Sequence, residues 1–117
     1  MSAVRQIPEL ETIQKKIVAK RFAEALDDLG VRLESSPEDP DALYMSAVCR
    51  RYRREFDESL ALLARLKALQ PENGRVHQEE GHNYRDMGQP DEALTAYARA
   101  CRFNPALEAS WREQHEI

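Results

Sequence analysis

A chain of 117 residues, 42% hydrophobic and 32% charged, is the size of one ordinary domain; it holds enough apolar side chains for a core but no run of 18 that could span a membrane. Against 17 basic residues stand 21 acidic ones, and a net charge of −4 excludes the concentrated positive field of a nucleic-acid surface. The N-terminal stretch carries a proline and two acids where a secretory signal needs an unbroken apolar run, which points to a cytoplasmic location.

Pro8 is suited to the first turn of a helix because it lacks the N–H that would otherwise go unpaired, and Leu10, Ile13 and Ile17 then recur at helical spacing as far as Lys20. A second helix over Phe22 to Glu34 presents Phe22, Ala25, Leu26, Leu29 and Leu33 on one side. The turn Ser35 to Pro40 places Asp39 as N-cap and Pro40 as first residue of a third helix that runs to Arg53. After a break at Arg54 and Glu55, the stretch Phe56 to Leu69 is strongly apolar and is expected to be the most buried helix. Gln70 to Gly74 ends it. In the next pair, Gly81 and Tyr84 share a face, Ala93, Tyr97 and Ala100 follow at helical spacing, and Gln89 and Pro90 set the start of a helix with Asp91 and Glu92 in its first turn. Small residues there let two backbones approach while tyrosines fill the space. No strand pattern occurs along the chain.

These elements repeat. Pro37, Pro71 and Pro105 are 34 apart, and the same step links Phe22 with Phe56, Leu26 with Leu60 and Leu94, and Leu29 with Leu63 and Tyr97. The chain therefore divides into helical hairpins at about 6–39, 40–73 and 74–107, with a capping helix at about 106–116 that carries Trp111. Residues 40–73 are the only third with a basic excess, six against five.

A 34-residue helix-turn-helix unit with Gly81, Tyr84, Gly88, Ala93, Tyr97, Ala100 and Pro105 in register resembles the tetratricopeptide repeat. The likeness covers nearly the whole chain, with departures: His77 stands where Trp is usual, Glu80 where Leu is, Arg50 for the first-helix Tyr of the second unit, and Arg54 for the closing Gly. It implies an all-α fold, a right-handed solenoid of about three hairpins whose first helices line a concave side that receives a peptide or partner helix. On that resemblance the lining takes Leu10, Gln14, Ile17 and Val18, then Asp41, Tyr44, Val48, Arg51 and Tyr52, then Arg75, Gln78, His82, Arg85 and Asp86. A second resemblance, over Leu66 to His82 and Asn104 to Arg112, is to the repeats that precede bacterial sulfotransferase domains. Gly30, Gly74, Gly81 and Gly88 never cluster into a phosphate-cradling loop, so any such chemistry lies outside this chain.

The residues give little else for catalysis. His77 and His82 are five apart, about 140° round a helix, and do not form an i, i+4 metal pair. Cys49 and Cys101 read as small apolar residues, not as nucleophiles or a disulfide. Arg50 to Arg54 is either a cationic helix end favoured by the dipole or an anion-binding patch. The expected role is that of a non-enzymatic interaction module without cofactor or metal. Its groove holds Tyr44, Val48 and Tyr52 as apolar contacts beside Gln78, with Arg51, His82 and Arg85 orienting a peptide that carries acidic and aromatic residues. In the family's carboxylate-clamping variant, Lys and Asn hold places taken here by Tyr44, Met45 and Val48, so that binding mode is not expected. Two alternatives remain: a spacer array of a larger enzyme, and weak self-association through the end near Trp111, with a monomer otherwise.

Overall fold

The computed structural model describes residues 6–107. Six helices follow one another: α1 (Leu10–Val18), α2 (Phe22–Ser35), α3 (Pro40–Tyr52), α4 (Phe56–Leu69), α5 (Gly74–Asp86) and α6 (Pro90–Phe103), with no strand among the described residues. The expected capping helix and Trp111 lie outside the described residues. The described part is elongated, 59 × 26 × 24 Å.

The 34-residue step is visible in the backbone. Lys20, Arg54 and Gly88 all adopt positive φ (63°, 63° and 79°), one at the end of the first helix of each hairpin. After each of them the next N–H, that of Arg21, Glu55 or Gln89, turns back to the carbonyl five residues earlier, on Lys16, Arg50 or Tyr84, at 2.8 Å. This left-handed closure satisfies carbonyls that a helix end leaves unpaired. At the starts, Asp39 Oδ1 accepts from the backbone N–H of Asp41 and Ala42 at 3.1 and 3.3 Å, ahead of Pro40, and Asn73 Oδ1 accepts from that of Arg75 at 3.0 Å. One start differs from expectation: α1 begins at Leu10, with Glu9 as its cap, while the Pro8 carbonyl accepts from Arg32 Nη1 at 3.0 Å.

Two apolar clusters join the hairpins. Ile13, Ala25, Leu29, Ala42 and Cys49 close the first joint, and Leu43, Ala47, Leu63, Leu66 and Val76 hold the second. Helices α1, α3 and α5 touch in succession, whereas α2, α4 and α6 do not touch one another, so the stack bends with the first helices inward. Enclosure follows from this. The apolar α4 buries only Ser59, Leu63 and Leu66 and leaves Leu69 40% exposed, against the expectation that it is the most buried. The polar α5, wedged among α3, α4 and α6, buries eight residues, including His77, Gln78, Glu79, Glu80 and Asn83. At its centre a Cβ on Gly81 would sit 2.6 Å from the Tyr97 ring, the close approach its sequence neighbours imply.

Candidate functional site

The second joint brings charge inside. Arg51, near the end of α3, is 7% exposed and faces Glu79 on α5, itself 2% exposed. Its Nε donates to Glu79 Oε2, its Nη2 to Glu79 Oε1 at 3.4 Å, and its Nη1 to Asp86 Oδ2 at 3.0 Å. Glu79 and Asp86 are seven residues apart, two helical turns, so one guanidinium fork spans both carboxylates. Burial opposes the charge on Arg51, but the hydrogen bonds and charges of Glu79 and Asp86 outweigh it and raise its pKa further. At Glu79 burial prevails and pushes the carboxyl up against the pull of Arg51. Asp86 is less deep, and hydrogen bonds from Arg51 and Arg85 outweigh its burial and hold it below the usual range.

A polar ladder continues this seam. Asn83 Nδ2 donates to Ser59 Oγ and to the Glu79 carbonyl, both at 3.0 Å, and Ser59 Oγ donates to the Ala47 carbonyl at 2.7 Å. Lys67 on α4 meets Glu80 at 2.7 Å. Ser59 and Asn83 are fully buried, and their donors thereby find acceptors.

Above Arg51 opens a concavity of about 460 Å³, lined by Arg51, Tyr52, Arg54, His82, Arg85 and Asp86. The C-terminal ends of α3 and α5 form its walls. Arg85 Nε donates to Asp86 Oδ1 at 3.0 Å and Arg54 Nη2 reaches the Asp86 carbonyl at 3.5 Å, so three guanidinium groups converge on one residue. His82 Nδ1 lies 2.7 Å from the Tyr97 hydroxyl, whose pKa burial pushes up to about 12. Tyr52, 55% exposed, is stacked on Phe22 at 5.0 Å, with the Arg51 guanidinium 4.6 Å from its ring centre.

Arg51, Tyr52, His82 and Arg85, singled out from sequence, thus meet at one opening, although Arg51 forms its floor and is not a projecting contact. Tyr44 and Val48 are half-buried and Gln78 is buried; none of the three lines it. Tyr44 sits instead by Glu79, Arg75 and Arg51, its hydroxyl pushed up mainly by burial. The arginine run divides. Arg50 and Arg53 both pair with Glu55, at 2.7 and 3.4 Å, while Arg54 lies over the Phe56 ring at 5.1 Å.

Glu79 was absent from the residues expected at this site. Its signal lay in the repeat: one unit earlier, Ile17 holds the place of Arg51 and Met45 the place of Glu79, so an apolar pair has become an ionic one. His77 packs as a core residue, stacked on Phe103 at 5.1 Å with Nε2 3.2 Å from the Pro71 carbonyl. Among the described residues no three His, Cys, Asp or Glu side chains are grouped to hold a metal ion, and no helix is long and apolar enough to cross a membrane.

Several solved structures share the fold. MamA MSR-1 superposes with a TM-score of 0.72 at 21% identity, over 80% of this chain and 54% of that one. MamA AMB-1 gives 0.71 at 22% identity, over 78% and 54%, and a further MamA crystal structure gives 0.70 at 18%, over 83% and 57%. The chain spans about half the length of these MamA structures. At this identity the likeness establishes an all-α helical repeat, as the tetratricopeptide resemblance implies, and does not extend to the sulfotransferase resemblance. No family model matches the sequence, and no curated protein matches it.

Proposed function

We propose that this chain is a protein-interaction module that receives a peptide or partner segment in the concavity between the ends of α3 and α5. The observation that carries this reading is the convergence of Arg51, Arg54 and Arg85 on Asp86 at an opening of about 460 Å³, with the exposed Tyr52 on its rim. Guanidinium forks favour carboxylates and an exposed tyrosine favours apolar or aromatic contacts, so the partner segment is acidic and aromatic. Buried pairing fixes Arg51 in place, which leaves Arg54, Arg85 and Tyr52 as the groups that meet the partner.

Selection from a random dodecapeptide library displayed on phage tests this with no partner chosen in advance. Enrichment of acidic peptides with aromatic residues is expected. Arg85→Glu should weaken a selected peptide about tenfold at low salt and less at high salt, because an exposed charge contact is screened over about 8–10 Å. Equal affinity of the wild type and Arg85→Glu for every selected peptide would remove the cavity from the function.

A further inference from the structure

The ends of the first helices make a second surface, which overlaps the concavity at Tyr52 and Arg54 and adds residues outside it. Val18 and Tyr52 hold equivalent positions in successive hairpins and are the two most exposed large apolar side chains described, at 77% and 55%. Two residues further on in each hairpin stand Lys20 and Arg54, both cations in the left-handed backbone region, with φ of 63°. The third hairpin uses Gly88 at that position, the residue that adopts this conformation without a side-chain clash. Two of three repeats thus keep a cation where the backbone favours glycine. Lys20 makes no ion pair among the described residues, and Arg54 is supported by the Phe56 ring as Tyr52 is supported by Phe22. An exposed apolar side chain and an exposed cation thus recur at the ends of the first helices of the first two hairpins, in a chain whose net charge is −4.

We infer that this edge, Val18 and Lys20 continued by Tyr52 and Arg54, docks an acidic segment of a partner protein that lays an apolar side chain on Val18 and Tyr52. The inference rests on the interaction-module reading and extends its footprint: the segment enters at the concavity, shares Tyr52 and Arg54 with it, and runs outward over the first hairpin. Charge complementarity defines the partner, since cations without internal carboxylates face solvent beside apolar groups. Backbone strain kept at two equivalent positions marks the cations as more than filler, because glycine serves the fold there at less cost.

Val18 and Lys20 lie away from the concavity, so their variants separate the two surfaces. The peptides selected on phage are measured against Val18→Ser, Lys20→Gly and Arg85→Glu, with vesicles containing phosphatidylserine as a parallel arm. The expected result is that Val18→Ser with Lys20→Gly lowers affinity for acidic peptides about tenfold, while Lys20→Gly alone raises the melting temperature. Loss with Arg85→Glu but not with the Val18 and Lys20 variants overturns the docking edge and leaves the concavity standing. Loss with the edge variants alone keeps the edge and removes the concavity. Failure to enrich acidic peptides ends both readings, and sedimentation with vesicles in place of peptide binding overturns the edge in favour of a membrane surface. A fall in melting temperature for Lys20→Gly would remove the argument from strain.

Discussion

The joint between the first and second hairpins and the joint between the second and third share a backbone scheme and differ in chemistry. In the first, Ile13, Ala25, Leu29, Ala42 and Cys49 meet as an apolar cluster, with Ile17 and Met45 packed against it. In the second, the places of Ile17 and Met45 are taken by Arg51 and Glu79, and Lys67 with Glu80 and Asn83 with Ser59 add further polar contacts. Apolar contact is non-directional and holds two hairpins together over a range of small displacements. A buried fork bound to two carboxylates accepts one arrangement, so the second joint fixes where the ends of α3 and α5 stand, and with them the walls of the concavity. The joint that carries the candidate site is the one built for position.

The largest expected effect comes from rewriting the second joint in the language of the first. Arg51→Ile alone leaves Glu79 buried without its cation and should cost about 3–5 kcal/mol of stability in urea unfolding. Adding Glu79→Met restores the apolar pair seen one repeat earlier, and the double variant should recover most of that loss or exceed the wild type. If the double variant is stable yet no longer binds the selected peptides, position and stability have been separated. If the two single losses simply add, Arg51 and Glu79 do not act as a pair.

A second test strikes the apolar joint. Burial pushes the Cys49 thiol up from 9.0 to about 11, so it stays protonated in the folded chain while an unfolded chain ionises first. The unfolded state then binds fewer protons at this group, and the thiol's contribution to stability falls as pH rises from about 9 and levels off above about 11, by about 2–3 kcal/mol. Cys49→Ala should remove this part of the alkaline decline and leave the part that the raised Tyr44 and Tyr97 hydroxyls contribute. An unchanged slope in that variant would show that the thiol titrates alike in both states, and that this joint is not the dry one.

Much of the fold was legible because it rests on local rules. Asp39 before Pro40, the break at Arg54 and the spacing of Ala93, Tyr97 and Ala100 each depend on neighbours within a few residues, and each appears where those neighbours require it. Enclosure is not local. Periodicity says which face of α5 points inward, but only the packing of α3, α4 and α6 round it makes a helix with Gln78, Glu79 and Glu80 the most buried. For the same reason the sequence offers Arg51 as an orienting group of the groove and not as half of a buried pair: its partner Glu79 lies 28 residues away, and nothing near Arg51 in sequence announces it. The family resemblance puts Tyr44 and Val48 on the lining of the first helices, and the concavity at the helix ends is bordered by other residues.

Within the third hairpin, Gly81→Ala sharpens the contrast further, since neither a charge nor a partner is lost. The added Cβ meets three atoms of the Tyr97 ring at 2.6–2.9 Å, and Tyr97 is 1% exposed with its hydroxyl beside His82. Relief by moving the ring is therefore opposed by its surroundings, and a loss of about 1–3 kcal/mol is expected. Because α5 then shifts against α6 and not against α3, the Arg51 pairs should survive; their loss, seen as changed Arg Nε resonances, would mean that the three helices move as one body.

The smallest effect compares the two joints at their helix starts. Asp39 caps α3 through two backbone N–H groups and also accepts from Arg32 Nη2 at 2.9 Å, while Asn73 caps α5 through one. Either side chain changed to Ala loses a cap, at about 0.5–2 kcal/mol. Asp39→Ala should cost the more, because it also strips Arg32 of its carboxylate and a negative charge from the positive end of the α3 dipole. That extra loss should shrink in high salt, since Arg32 and Asp39 are only partly buried, whereas the loss from the neutral Asn73 should not. Equal, salt-independent losses at both sites would show that the contact with Arg32 adds nothing to the cap, and that the first joint holds by its apolar cluster alone.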